Sequence, residues 1–180
     1  MIWLLYGAGA LVGVVVLLVV GMALVGLALP AAHVASKSAL IARPPADIWR
    51  ALTDRASQPE WRRDLRRLEA LPDAGGLPSF REHSRHGVIT YVVEEATAPA
   101  AGHAGRLVTR IADDTLPFGG RWIHEVADED GGARLTITEE GVVKNPIFRF
   151  MSRFVFGHDA TLEAFLRDLT AHLGGAARDH

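Results

Sequence analysis

No charged side chain occurs in this sequence before Lys37. Residues Ile2–Leu29, IWLLYGAGALVGVVVLLVVGMALVGLAL, form an unbroken apolar run. Wound into one helix, that run extends about 42 Å at ~1.5 Å per residue, more than the ~30 Å hydrocarbon core of a bilayer. A cleaved signal peptide would show a basic leader and a much shorter apolar stretch, so residues 1–31 read as a retained transmembrane anchor. Lys37, Arg43 and Arg50 follow the run, whereas no basic residue precedes it. The positive-inside tendency then predicts a single-pass protein of the cell membrane with its carboxyl-terminal domain facing the cytoplasm. Gly9 and Gly13 have GxxxG spacing, but glycine is common in membrane helices and the pair is read as composition.

The remainder is long enough for one domain, placed at 35–174, with 175–180 as a tail. Its charges nearly cancel, the whole chain carrying a net charge of -2, which gives no field for attracting a polyanion. Arg62, Arg63, Arg66 and Arg67 are close together but diluted by Asp64 and Glu69. They read as a solvated face, with contact to anionic lipid as the alternative, and fall short of a nucleic-acid footprint. Cysteine is absent, which excludes disulfides and thiolate chemistry. His83 and His86 form HxxH on a strand and turn, where the rings would diverge. No metal or cofactor is called for, and the oligomeric state is left open.

Element signals are clear after the anchor. "ASKSALIA" predicts a first strand, and Pro44–Pro45 followed by Ile48, Trp49 and Leu52 predicts a helix that Pro59 interrupts. "LRRLEAL" predicts a strand and "PDAGGLP" a loop. "SFREHSR" and "VITYVVEEA" predict a hairpin turning at His86–Gly87, with Glu82 opposite Tyr91 and Phe80 opposite Val93. "AGRLVTRIA", "GRWIHEVA" and "ARLTITEEG" predict three more strands. Pairing Val126 with Leu135 sets His124 opposite Ile137, Trp122 opposite Glu139, and Arg121 opposite Glu140 on the other face. Asn145 and Pro146 predict the start of one long amphipathic helix, kinked at Gly157 and stopped by Gly174–Gly175.

"RPPADIWRALTDRASQPEW", "FGGRWIHEV" and "ARLTITEEGVVKNP" followed by a phenylalanine-rich helix together resemble the START-like, or SRPBCC, superfamily of polyketide cyclase/dehydrase and lipid-transport-like proteins. The resemblance covers about residues 36–173. It implies an α+β helix-grip fold, in which a curved antiparallel sheet wraps the long final helix around an internal cavity. Pattern alone supports the half of this that needs a cover for a half-apolar sheet.

Cavity candidates follow from the inward faces of the hairpins and from the final helix: Trp61, Phe80, Glu82, Tyr91, Trp122, His124, Glu139, Met151 and Phe154. Trp49 is expected in helix–sheet packing and Trp61 near a cavity mouth. Glu82 has a competing role as partner of Arg106 or Arg110. No nucleophile–base–orienter arrangement is visible, so no residue is assigned as catalytic. The expected partners are a hydrophobic small molecule or lipid and, through the anchor, the membrane, with no nucleic acid. Two alternatives stay open: a cyclase/dehydrase-type enzyme using His124, Tyr91 or an inward carboxylate, and a tethered interaction scaffold with a filled interior.

Overall fold

The apolar run and the β-rich remainder separate cleanly in the computed structural model, which describes residues 2–85, 87–156, 159–174 and 177–178. Helix α1 spans Ile2–Ala28. It is the one described helix long and apolar enough to cross a membrane. Leu11, Leu17, Leu24 and Leu27 are all more than 60% exposed, so this helix has no place in a protein core. Nothing approaches Gly9 or Gly13 within the described residues. Only Leu29–Ala31 separate α1 from the first strand, which begins at Ala32 and not, as expected, after Val34.

The strands are β1 (Ala32–Ile41), β2 (Leu65–Ala74), β3 (Leu77–Ser84), β4 (Gly87–Thr97), β5 (Gly105–Ile111), β6 (Phe118–Glu129), β7 (Gly132–Val143) and the two-residue β8 (Ala177–Arg178). All pair antiparallel in the order β2-β3-β4-β5-β6-β7-β1-β8. Register shifts in β2 and in β4 at Val93/Glu95 are bulges, which bend a sheet and increase its twist. Helices α2 (Pro45–Thr53) and α3 (Gln58–Trp61) follow β1. Helix α5 (Ala160–His172) lies against the concave face, as the helix-grip expectation required.

Two hairpins illustrate how turns set register. The β6–β7 pairing matches the expected one at every position, including His124 with Ile137 and Trp122 with Glu139. Gly131 turns it at a φ of 88°, which favours glycine. The β3–β4 hairpin is displaced by two residues from expectation: Glu82 sits opposite Ile89 and Phe80 opposite Tyr91. A two-residue shift leaves every side chain on its face, so the inward set is unchanged. His86 lies outside the described residues. "PDAGGLP" is mostly strand: Gly75 and Gly76, at φ 62° and 82°, confine the turn to two residues, as a type I′ hairpin requires.

The closing helix is not one rod. Helix α4 covers Pro146–Met151, a π-helical turn follows at Ser152–Phe156, and α5 begins at Ala160. Asn145 caps α4 as expected, its side chain accepting from the Ile147 and Phe148 amides at 2.9 and 3.3 Å. Gly157, the expected kink, and Gly175 lie outside the described residues, while Gly174 ends α5 at φ 65°. Of the expected tail, Ala177–Arg178 pair with Leu40 and Ile41, and residues 175–176 and 179–180 lie outside the described residues.

Apolar burial explains where α5 sits. Leu162, Phe165, Leu166 and Leu169 meet Ile41, Val126, Leu135 and Ile137 of the sheet and Ile48 and Leu52 of α2 in one cluster. Burying each such side chain contributes roughly 1.5–3 kcal/mol. Polar contacts fix both ends of α5: Lys37 reaches Asp159 and Glu163 at 3.0 and 2.9 Å, and Arg43 donates to the Leu173 carbonyl at 2.7 Å. Trp49 packs at the edge of this cluster, as expected.

Candidate functional site

Because α5 is held at both ends, it spans the concave sheet without filling it. Between them lies a cavity of about 270 Å³. Leu52, Arg55, Gln58 and Arg62 wall one side, the inward residues of β3 to β7 form the floor, and Thr161 and Phe165 of α5 form the roof. Phe118, 37% exposed, stands at the rim. Strand alternation explains the floor: Phe80, Glu82, Tyr91, Leu107, Thr109, Trp122, His124 and Glu139 all face inward.

Six of the nine expected residues converge on this wall: Phe80, Glu82, Tyr91, Trp122, His124 and Glu139. Three do not. Trp61 is 7% exposed in the core, edge-on to Phe165 and stacked on His172, not at a mouth. The short α3 turns its ring under α5, a placement that spacing from Pro59 could not reveal. Met151 and Phe154 fall on α4 and the π turn, which veer away from the cavity; Phe154 is 59% exposed. The expectation for both assumed a continuous helix.

The largest difference concerns Arg62. Its guanidinium does not join a solvated face; it turns inward and donates from Nη1 and Nη2 to the two carboxylate oxygens of Glu82 at 2.6 and 3.0 Å. Both side chains are 12% exposed. Nη1 also donates to Gln58 Oε1 at 3.2 Å, and Gln58 in turn donates to the Leu52 carbonyl at 2.9 Å. Removing one member of such a buried pair strands the other charge, at a cost of about 3–5 kcal/mol. The expected Glu82 partners are engaged elsewhere: Arg106 with Glu95 and Glu125, Arg110 with Glu94. Arg63 and Arg67 likewise turn to Asp168 and Glu69. Only neighbouring residues in the fold distinguish Arg62 from the three arginines it resembles in sequence.

The remaining wall combines rings and polar groups. Phe80 stacks on Tyr91 at 5.3 Å between centroids, and His124 and Trp122 flank Phe165 at 5.5 and 6.0 Å. Burial, reinforced by the Glu82 carboxylate, holds the Tyr91 phenol well above its usual pKa. It is therefore a neutral hydroxyl. Burial also lowers the His124 imidazole to about 4; the nearby Arg62 charge adds to this, against an opposing hydrogen bond with the Leu107 backbone. At neutral pH this ring is uncharged, and its Nδ1 is buried without a partner among the described residues. Glu139 lies 3.5 Å from His33 Nε2. Burial lowers the His33 pKa as well.

This arrangement can enclose a small apolar body and offer it hydrogen bonds from uncharged groups. It shows no activated nucleophile, and no cluster of three or more metal-ligating side chains occurs among the described residues. Leu107, Thr109, Ile111, Phe118 and Phe165 join the wall without having been singled out. Their alternation within predicted strands and the apolar stripe of α5 were the available signals.

Comparisons with known proteins agree with this geometry. A family model described as polyketide cyclase / dehydrase and lipid transport matches residues 32–174. Among solved structures, a START superfamily protein from Mycobacterium smegmatis superposes with a TM-score of 0.60 at 18% identity, covering 79% of this chain and 97% of that one. Norcoclaurine synthase from Thalictrum flavum, in complex with dopamine and hydroxybenzaldehyde, gives 0.60 at 12% identity, covering 79% and 86%. The di-domain ARO/CYC protein StfQ of the steffimycin biosynthetic pathway gives 0.59 at 14%, covering 78% of this chain and 50% of that one. At these identities the likeness establishes the fold. No curated protein matches the sequence.

Proposed function

The chain belongs to the polyketide cyclase/dehydrase and lipid-transport family of the START-like superfamily, and from that premise we propose that it holds a compact hydrophobic molecule under α5 while anchored to a membrane by α1. The observation that carries this reading is the cavity: about 270 Å³, walled by aromatic and aliphatic side chains with a few convergent polar groups. Small-molecule pockets have this character and span roughly 300–1,000 Å³. A volume just under that range favours a guest of one or two rings, or a single chain, over a two-chain phospholipid. The neutral Tyr91 hydroxyl, on a residue that lines the cavity, favours a guest with a hydroxyl or carbonyl that can hydrogen-bond to it. The filled-scaffold alternative loses ground because side chains leave this space open. Exposure of α1 and its length support a membrane span, and the charge distribution after it supports the cytoplasmic orientation.

A second reading has one observation in its favour. Two of the structural neighbours are a synthase caught with dopamine and hydroxybenzaldehyde and an ARO/CYC protein, and Tyr91, His124 and Glu139 share this chain's cavity. An imidazole held near 4 is a weak base, so any acid–base role would fall first to Glu139 or to a water it orients.

Native mass spectrometry of the full chain released from detergent tests the binding reading. An apolar adduct should accompany the protein, and Ile89→Trp, which adds a ring to the cavity wall, should lose it while melting as wild type does. An adduct retained by that variant, or a folded wild-type chain without one after reconstitution in native lipid extract, would overturn the proposal.

A further inference from the structure

Segment Pro146–Phe156, PIFRFMSRFVF, is left over by the cavity. Its Phe148, Phe154 and Val155 are 50%, 59% and 58% exposed, an unusual display for a domain whose other aromatic rings are largely covered. What lies beside it gives the reason. Helix α4 packs on α1, and the covered positions described there are Met22, Ala23 and Gly26 in the last two turns of α1 and Leu29 just past its end, one stripe. Gly26 is required there, because a Cβ would run into the Pro146 carbonyl. Arg149 completes the joint, donating to the Val143, Lys144 and Leu29 carbonyls at 2.7, 3.1 and 3.4 Å.

We propose that Pro146–Phe156 lies in the headgroup–acyl boundary of the same bilayer leaflet that receives the end of α1, with the lipid surface covering Phe148, Phe154 and Val155. This rests on the reading of α1 as a membrane span. Any outward group on a helix laid against Met22–Leu29 shares the depth of those residues. Helix α1 is about 40 Å long at ~1.5 Å per residue, against a core of ~30 Å, so its final turns reach the interface. Interfacial segments place aromatic and aliphatic residues on the buried side and leave cations free to reach headgroups. Arg153 is exposed beside Phe154, as that role needs. The cavity rim follows from the same placement: Phe118 pairs with Val143, three residues before α4, and Thr161 lines the cavity from the first turn of α5. The rim therefore faces the bilayer, and the β6–β7 turn at Asp130 points away from it.

The chain contains no cysteine, so single labels can be introduced directly. Environment-sensitive fluorophores at Phe154→Cys, Val155→Cys, Val16→Cys and Asp130→Cys would be read in phosphatidylcholine–phosphatidylglycerol vesicles carrying nitroxide lipids. The expected result is loss of most emission at 154 and 155 to a nitroxide near the headgroup, loss at 16 to one deep in the chains, and none at 130. Labels at 154 and 155 that match 130, with 16 still quenched, overturn the interfacial placement and leave the span standing. A label at 16 that no nitroxide reaches overturns both. Dehydrated but unquenched labels at 154 and 155 would show that a second copy of the chain covers the patch, and also overturn it.

Discussion

His124 shows how one side chain reports on the whole interior. Its ring is 5% exposed, and burial holds its pKa near 4 against about 6.5 in an unfolded chain. Below that value the unfolded chain takes up a proton that the folded chain refuses, so stability falls with falling pH. The contribution is complete above about pH 6.5 and is lost progressively toward pH 4, amounting to ~3 kcal/mol. Denaturant melts of wild type and His124→Asn should therefore diverge in slope between about pH 6.5 and pH 5, the variant lacking the histidine component. Parallel slopes would mean that the ring sees water. Arg62 teaches the converse lesson about sequence: four arginines within six residues read alike until Glu82, twenty positions away, selects one of them.

At the scale of elements, legibility depended on how local the determinant was. The β6–β7 register could be read in advance because Gly131 fixes the turn and Arg121 pairs with Glu140 at 2.6 Å across it. The β3–β4 register slipped by two because both turns leave the same apolar set inside, so hydrophobic patterning could not choose between them. The inward faces, and with them Phe80, Glu82 and Tyr91, survived that slip. The break between α4 and α5 was invisible for another reason: the apolar stripe runs through both, but its first part is claimed by α1 and its second by the sheet. That joint carries its own prediction. Gly26→Leu should push α4 off α1 and break the Arg149 hydrogen bond to the Leu29 carbonyl, so trypsin should cut after Arg149 faster than in wild type. Unchanged cleavage would show that the two helices do not meet.

At the scale of the molecule, family, fold and cavity agree, and the proposed membrane span of α1 would add to them a fixed position. If guest passes between membranes, transfer from donor vesicles holding the reconstituted chain should speed up as acceptor vesicles become more abundant. A rate indifferent to acceptor concentration would mean that cargo escapes into water by itself. Leu29–Ala31 make the difference: three residues allow a reach of about 10 Å at full extension, and Arg149 and the Val143 amide hold the Leu29 and Ala31 carbonyls at its two ends. A shuttle needs slack, and this domain has none. On the proposed reading it is a quay, at which cargo and any downstream handler must call.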